Sequence, residues 1–129
     1  MVIVQPRPKS LDICKQPLRA VMHPEIRIEN IPIMLAEEFP DMGYRSPNTI
    51  GGSAVSMLLY VDNVDTLFET ASASGATVTV PIQDQFDGDR RGTLTDPFGH
   101  IWLLATKRED ISIDELQRRF KTMLNQEPV

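Results

Sequence analysis

The sequence predicts an α+β fold, with a strand–helix–strand–strand–strand unit over residues 54–106, a strand-rich segment before it and a helix after it. Three observations carry that expectation. Asp96-Pro97-Phe98-Gly99 is turn chemistry inside the hairpin of residues 87–104: Pro97 presets φ, Gly99 permits positive φ, and Asp96 can bond the backbone ahead of it. The apolar run 54–61 leads to Asn63, an N-cap residue, and then to Val64, Leu67, Phe68 and Ala71 at helical spacing. Finally, Ser112 and Glu115 form a capping box ahead of an apolar stripe, Ile113, Leu116, Phe120, Met123 and Leu124.

The elements follow in chain order. Residues 2–5 and 11–15 are short strand candidates separated by Pro6, Pro8 and Pro17. From Val21, alternation puts Met22, Ile26 and Ile28 on one strand face and His23, Glu25 and Arg27 on the other. Pro24 in that run marks an edge position or a bulge. Glu29-Asn30 reads as a turn and residues 31–36 as the antiparallel return. Residues 37–52, with Pro40, Gly43, Pro47, Gly51 and Gly52, read as a long polar loop, functional or mobile. Residues 54–61 are a strand, Gly75 ends the following helix, and the β-branched run 77–80 is the next strand. Residues 100–106, apolar and aromatic, are a strand covered on both faces.

A chain of 129 residues makes one domain, here divided as 1–53, 54–106 and a C-terminal helix over 112–125. The net charge of −5 opposes binding to nucleic acid or to an anionic membrane, and no partner of either kind is expected. No apolar run approaches the ~20 residues that span a bilayer. The lone Cys14 permits no internal disulfide, and with no secretory leader legible the expected location is cytoplasmic. The adjacent Lys15 could lower the Cys14 pKa modestly, but no His or acid is positioned in sequence to activate it as a nucleophile. Phosphate-cradling glycine loops and nucleophile elbows are absent from the sequence.

Several motifs occur together: Val-Ser-Met-Leu-Leu-Tyr-Val-Asp-Asn-Val-Asp from Val55, Ala-Ser-Gly-Ala-Thr-Val from Ala73, Gly-Asp-Arg at 88–90, and Asp-Pro-Phe-Gly-His-Ile-Trp from Asp96. Upstream stand Val-Met-His-Pro-Glu-Ile-Arg-Ile and Ile-Met-Leu-Ala-Glu-Glu-Phe-Pro-Asp-Met-Gly. Over residues 21–110 this wording resembles the vicinal oxygen chelate superfamily, the glyoxalase, bleomycin-resistance and dioxygenase proteins. It is most similar to the small glyoxalase-like subgroup that often carries a demethylubiquinone-methyltransferase-type label. The resemblance implies paired βαβββ modules. Only 20 residues precede the Val-Met-His strand and prolines break every helical window there, so the first module is expected to lack its helix. The sheet face left bare, together with the C-terminal stripe, leads us to expect a homodimer.

Metal-dependent members of that superfamily hold a divalent cation with His, Glu or Gln on the concave sheet faces. The resemblance carries three of those positions onto Met34, Ser56 and Leu103, none of which holds such an ion usefully. No metal and no cofactor is therefore expected. His23 and Glu25 alternate with Arg27 on one face, where two readings stay open: ion pairing and rim hydrogen bonds, or ligand contact with His23 or Glu25 as a general base. Tyr60 shares a face with Ser56 and Leu58 and offers a hydroxyl to orient a ligand. Asp89 and Arg90 either pin the hairpin or clamp an anion at a cavity mouth. His100 is expected to bond the turn and Trp102 to anchor packing, on the face opposite Ile101, Leu103 and Ala105.

The expected ligand-contacting set is thus His23, Glu25, Met34, Ser56, Leu58, Tyr60, Arg90 and Leu103. The leading functional expectation is a metal-independent small-molecule-binding protein that sequesters an antibiotic or another aromatic or cationic compound. The alternatives are a glyoxalase-like lyase or isomerase using His23 or Glu25, and a structural remnant without a ligand.

Overall fold

A computed structural model describes residues 2–4, 25–28 and 31–126, with side chains from Pro32 onward. The elements are β1 (Val2–Val4), β2 (Glu25–Ile28), β3 (Ile31–Glu37), α1 (Pro47–Ile50), β4 (Ser56–Tyr60), α2 (Val64–Ala73), β5 (Thr77–Asp84), β6 (Asp89–Thr95), β7 (Ile101–Lys107) and α3 (Ile113–Gln126). They build two sheets, ordered β1-β3-β2 and β4-β7-β6-β5. In the first, β1 runs parallel to β3 and β2 antiparallel to it. In the second, β4 runs parallel to β7, and β6 and β5 continue antiparallel. Each sheet therefore sets its first strand beside its last. The α+β class and the strand–helix–strand–strand–strand unit are as the sequence predicts. The strand expected over 11–15, the turn at Glu29-Asn30, the helix-free reading of residues 1–20, Cys14 and His23 all lie outside the described residues.

One face of the second sheet is closed by α2. Asn63 caps that helix, its Oδ1 accepting the Thr66 amide at 3.1 Å. Thr106 ties the helix start to the sheet by accepting the Val64 amide at 2.8 Å and donating to the Val61 carbonyl at 2.8 Å. Val64 and Phe68 then pack on Leu59, Leu94 and Leu104, with Ile82 and Trp102 at the margin. Gly92 is required by the close approach of the helix, because a Cβ there would sit 2.7 Å from Phe68 Cε2.

The 96–99 turn forms as its residues dictate. Asp96 Oδ1 accepts the amides of Phe98 at 2.9 Å and His100 at 3.0 Å, and its Oδ2 accepts the Trp102 indole N–H at 3.0 Å. Gly99 takes φ of 88°, and a Cβ on it would meet Asn48 Oδ1 at 2.5 Å.

Three expectations need correction. The strand starting at Thr77 continues past Val80 to Asp84, with register shifts on both sides of Val80. Pro81 is accommodated because β5 is an edge strand, where its missing N–H costs little. The 37–52 segment is no plain loop: it holds a 3₁₀ turn, Pro40–Met42, and the short helix α1. Glu38 Oε2 accepts the Ser46 amide at 2.9 Å and the Thr49 hydroxyl at 2.7 Å, and Asn48 Nδ2 donates to the Pro97 carbonyl at 3.2 Å. The two Glu38 bonds close the segment on itself, and the Asn48 bond fastens it to the turn. Lastly, only one arm of the capping box has the expected form. The Glu115 amide donates to Ser112 Oγ at 3.2 Å, but the Glu115 carboxylate binds Arg118 and Arg119 instead.

Candidate functional site

Strand alternation gives the second sheet another face, which α2 does not cover. Ser56, Leu58 and Tyr60 of β4 lie in register with Ile101, Leu103 and Ala105 of β7. Thr95, Thr93 and Arg91 of β6 continue those rows. Leu58 and Tyr60 are each 51% exposed there, although the other face of the same strands is core. The structure thus brings four of the expected site residues, Ser56, Leu58, Tyr60 and Leu103, onto one open surface, and the 100–106 strand, expected to be covered on both faces, leaves Leu103 part-exposed there.

One end of that surface is polar. The Tyr60 hydroxyl donates to Asp89 Oδ2 at 2.6 Å. Asp89 is only 5% exposed and also receives Arg91 Nη1 at 3.3 Å. Arg91 Nη1 in turn binds Asp87 Oδ2. The hydrogen bond to Asp89 raises the Tyr60 pKa above its ordinary 10, with desolvation adding to the effect. Tyr60 therefore keeps its proton at neutral pH and is no base. Its hydroxyl proton is already committed, leaving oxygen lone pairs to face outward.

Arg90 stands apart from this group. It lies on the helix side of β6, where its guanidinium makes a two-nitrogen contact with Asp65 at 2.8 and 3.0 Å and reaches Asp84 at 3.2 Å. The hydrogen bond from Arg90 holds the Asp65 carboxyl below the usual range. These bonds tie the start of α2 to the hairpin, the pinning role. Neighbouring strand residues point to opposite faces, so Asp89 and Arg90 never act as a pair; the arginine on the open face is Arg91. The alternation within Gly-Asp-Arg-Arg was the signal for this, and it puts Asp89 with Arg91.

The other expected residues belong to the first sheet or fall outside the description. Met34 is in β3, half-exposed, and its backbone pairs in register with Glu25 of β2. His23 precedes β2 and is not described. The donor set at Met34, Ser56 and Leu103 comprises a thioether, a hydroxyl and an alkyl group, and does not fit a divalent cation. Among the described residues no three His, Cys, Asp or Glu side chains gather to hold one. No helix among them is long and apolar enough to cross a membrane.

Comparison with known proteins fits this architecture. Residues 16–104 match the family model for the Glyoxalase/Bleomycin resistance protein/Dioxygenase superfamily. The uncharacterized protein Mb0911c of Mycobacterium bovis is 39% identical over 100 residues, covering 75% of this chain and 66% of its own length. The uncharacterized protein Rv0887c of Mycobacterium tuberculosis is equally similar over 59% of its length. The match thus spans less than two thirds of each of these relatives. Among solved structures, protein PA1353 from Pseudomonas aeruginosa aligns with a TM-score of 0.60 at 18% identity, covering 84% of this chain and 95% of its own. TioX from Micromonospora sp. ML1 aligns with a TM-score of 0.51 at 22% identity, covering 70% and 71% respectively. At these identities the structural likenesses show the fold.

Proposed function

The chain belongs to the Glyoxalase/Bleomycin resistance protein/Dioxygenase superfamily, and from that membership we propose that it binds a small molecule without a metal ion. The observation that carries this reading is the open face itself. It presents Ser56, Leu58, Tyr60 and Leu103 together, half-exposed or exposed, on a sheet whose other face carries the core under α2. An apolar floor with a few placed polar groups is the usual make-up of a small-molecule site. The positions that correspond to the superfamily's metal ligands carry no adequate donor, which favours sequestration of an aromatic or cationic compound over metal-assisted catalysis. We place the chain in the small glyoxalase-like subgroup on its motifs, as part of the same proposal.

The reading includes a homodimer. The stripe on α3 leaves Ile113 74% exposed, with Phe120 and Leu124 also exposed. Within the chain α3 is held by the Arg119–Glu109 ion pair and by Phe120 of that same stripe, whose ring meets Phe86 and still stays 44% exposed. A helix this amphipathic needs an apolar surface to stabilise it, and a second copy supplies one.

Thermal unfolding against a panel of aromatic and cationic compounds tests the binding reading. At least one compound should raise the midpoint, since a ligand of the native state stabilises it by RT ln(1 + [L]/Kd). A flat response across the panel overturns it in favour of a scaffold without a ligand. Stoichiometric zinc, nickel, iron or manganese in the purified protein overturns the metal-free part. Light scattering should give twice the chain mass, and a clean monomer removes the dimer.

A further inference from the structure

The polar end of the open face has a specific chemistry. Asp87 and Asp89 face a single guanidinium, Arg91, so this corner carries one net negative charge. The nearest other cation on the same rows is Lys107, the register partner of Asp89, and its ammonium is engaged by Asp110 at 3.3 Å. Asp89 itself is buried, so a ligand meets the corner through its hydrogen-bond partner Tyr60, a half-exposed residue.

That oxygen has a fixed polarity. Its proton points at Asp89, so toward solvent it only accepts. The Asp89 carboxylate behind it polarises the hydroxyl and strengthens it as an acceptor. The electron-rich ring face beside it favours a cation for the same electrostatic reason. The Tyr60 oxygen and the carboxylate behind it select for a positively charged donor and against a carboxylate, and Arg91 offsets only one of the two acids.

Leu58 stands two residues before Tyr60 on β4 and beside Leu103 on β7. Alternate residues of a strand are roughly 6–7 Å apart, and the Tyr60 hydroxyl reaches across to Asp89 of β6, so the apolar floor and the acceptor corner adjoin on one surface.

We propose that Tyr60, backed by Asp89 and Arg91, is the cation anchor of the open face, and that the ligand class is arylalkylammonium: an aromatic body over Leu58 and Leu103 with an ammonium on the Tyr60 oxygen. This rests on the open-face binding reading and narrows it to a charge and a polarity.

The test titrates the full chain with phenylpropylammonium, phenylpropanol and phenylpropionate, three compounds of matched shape, and follows backbone amide shifts by NMR. The ammonium should shift the β4 and β7 amides and bind about tenfold more tightly than the alcohol, with the carboxylate weakest. Asp89→Asn removes the net charge and should bring the ammonium to the alcohol's affinity. Tyr60→Leu should abolish the same preference, and it decides the matter if the Asp89 variant fails to fold.

If the alcohol or the carboxylate binds as tightly as the ammonium on these strands, the anchor is overturned and open-face binding stands. Retention of the preference in both variants likewise overturns the anchor. If no amide on β4 or β7 moves with any of the three compounds, the anchor is overturned too, and open-face binding is then judged by the wider thermal panel alone.

Discussion

The two faces of the β4–β7 sheet are built from the same strands and used in opposite ways. On one, Leu59, Leu94 and Leu104 are buried under Val64 and Phe68 of α2. On the other, Leu58 and Tyr60, the sequence neighbours of Leu59, remain half-exposed. Their charges follow the same division. Arg90 on the helix side is spent on Asp65 and Asp84, holding helix to hairpin, while Arg91 on the open side leaves an acidic corner under a tyrosine. Adjacent residues thus belong to different tasks, stability on one side and surface chemistry on the other.

The sharpest way to break that comparison is to truncate one apolar residue on each face. Phe68→Ala should cost about 3–5 kcal/mol, since an almost fully buried ring leaves a cavity that Gly92 and Leu94 cannot fill. Leu58→Ala should cost less than about 1 kcal/mol in the monomer, because its side chain already meets solvent. Urea denaturation measures both. A loss for Leu58→Ala as large as for Phe68→Ala means that the open face is covered in solution.

A smaller effect is expected at the turn that joins the two strands central to both faces. Gly99→Ala places a Cβ at φ of 88° and within 2.5 Å of Asn48 Oδ1. Left-handed strain and displacement of Asn48 together should cost about 1–3 kcal/mol. Loss of the Asn48–Pro97 bond should show as amide shifts in α1 as well as in the turn. Confinement of the shifts to residues 96–100 means that α1 does not depend on the turn.

Much of this was legible because it is local. The Asp96 turn, the Asn63 cap and the α3 stripe each depend on a few residues close in sequence, and each formed where its signals stand. What stayed hidden is tertiary. The run over 54–61 is apolar on both alternations, so periodicity yields two candidate faces and cannot say which one α2 will cover. The first and last strands of each sheet meet through long-range parallel pairing, which no local pattern announces. In the site, Tyr60 was visible as a hydroxyl near Ser56 and Leu58, but its buried partner Asp89 comes from a strand 29 residues later. Ser46-Pro47 did offer a local cue for α1, a cap followed by proline at the first helical position. It was submerged in a segment otherwise rich in glycine and proline.

The mildest prediction separates the faces by pH rather than by size. On the helix side, the hydrogen bond from Arg90 depresses the Asp65 pKa below its usual 3.8. A depressed acid stabilises the fold above its unfolded pKa, and that contribution is lost as pH falls through the lower folded value. On the open side, the bond to Asp89 raises the Tyr60 pKa above 10. A raised acid contributes fully below its unfolded pKa, and its contribution is lost as pH rises through the higher folded value. The stability gap between the parent protein and Asp65→Asn should therefore close only on acidification below the usual carboxylate range. The gap to Tyr60→Phe should close only on alkalinisation above pH 10. Urea midpoints across the pH range read both gaps. In parallel, Asp89→Asn should bring the tyrosinate absorbance transition of Tyr60 back toward its ordinary value. Closure of both gaps at the same end of the scale would mean that the two arginines serve one shared network, and the division between the faces would fail.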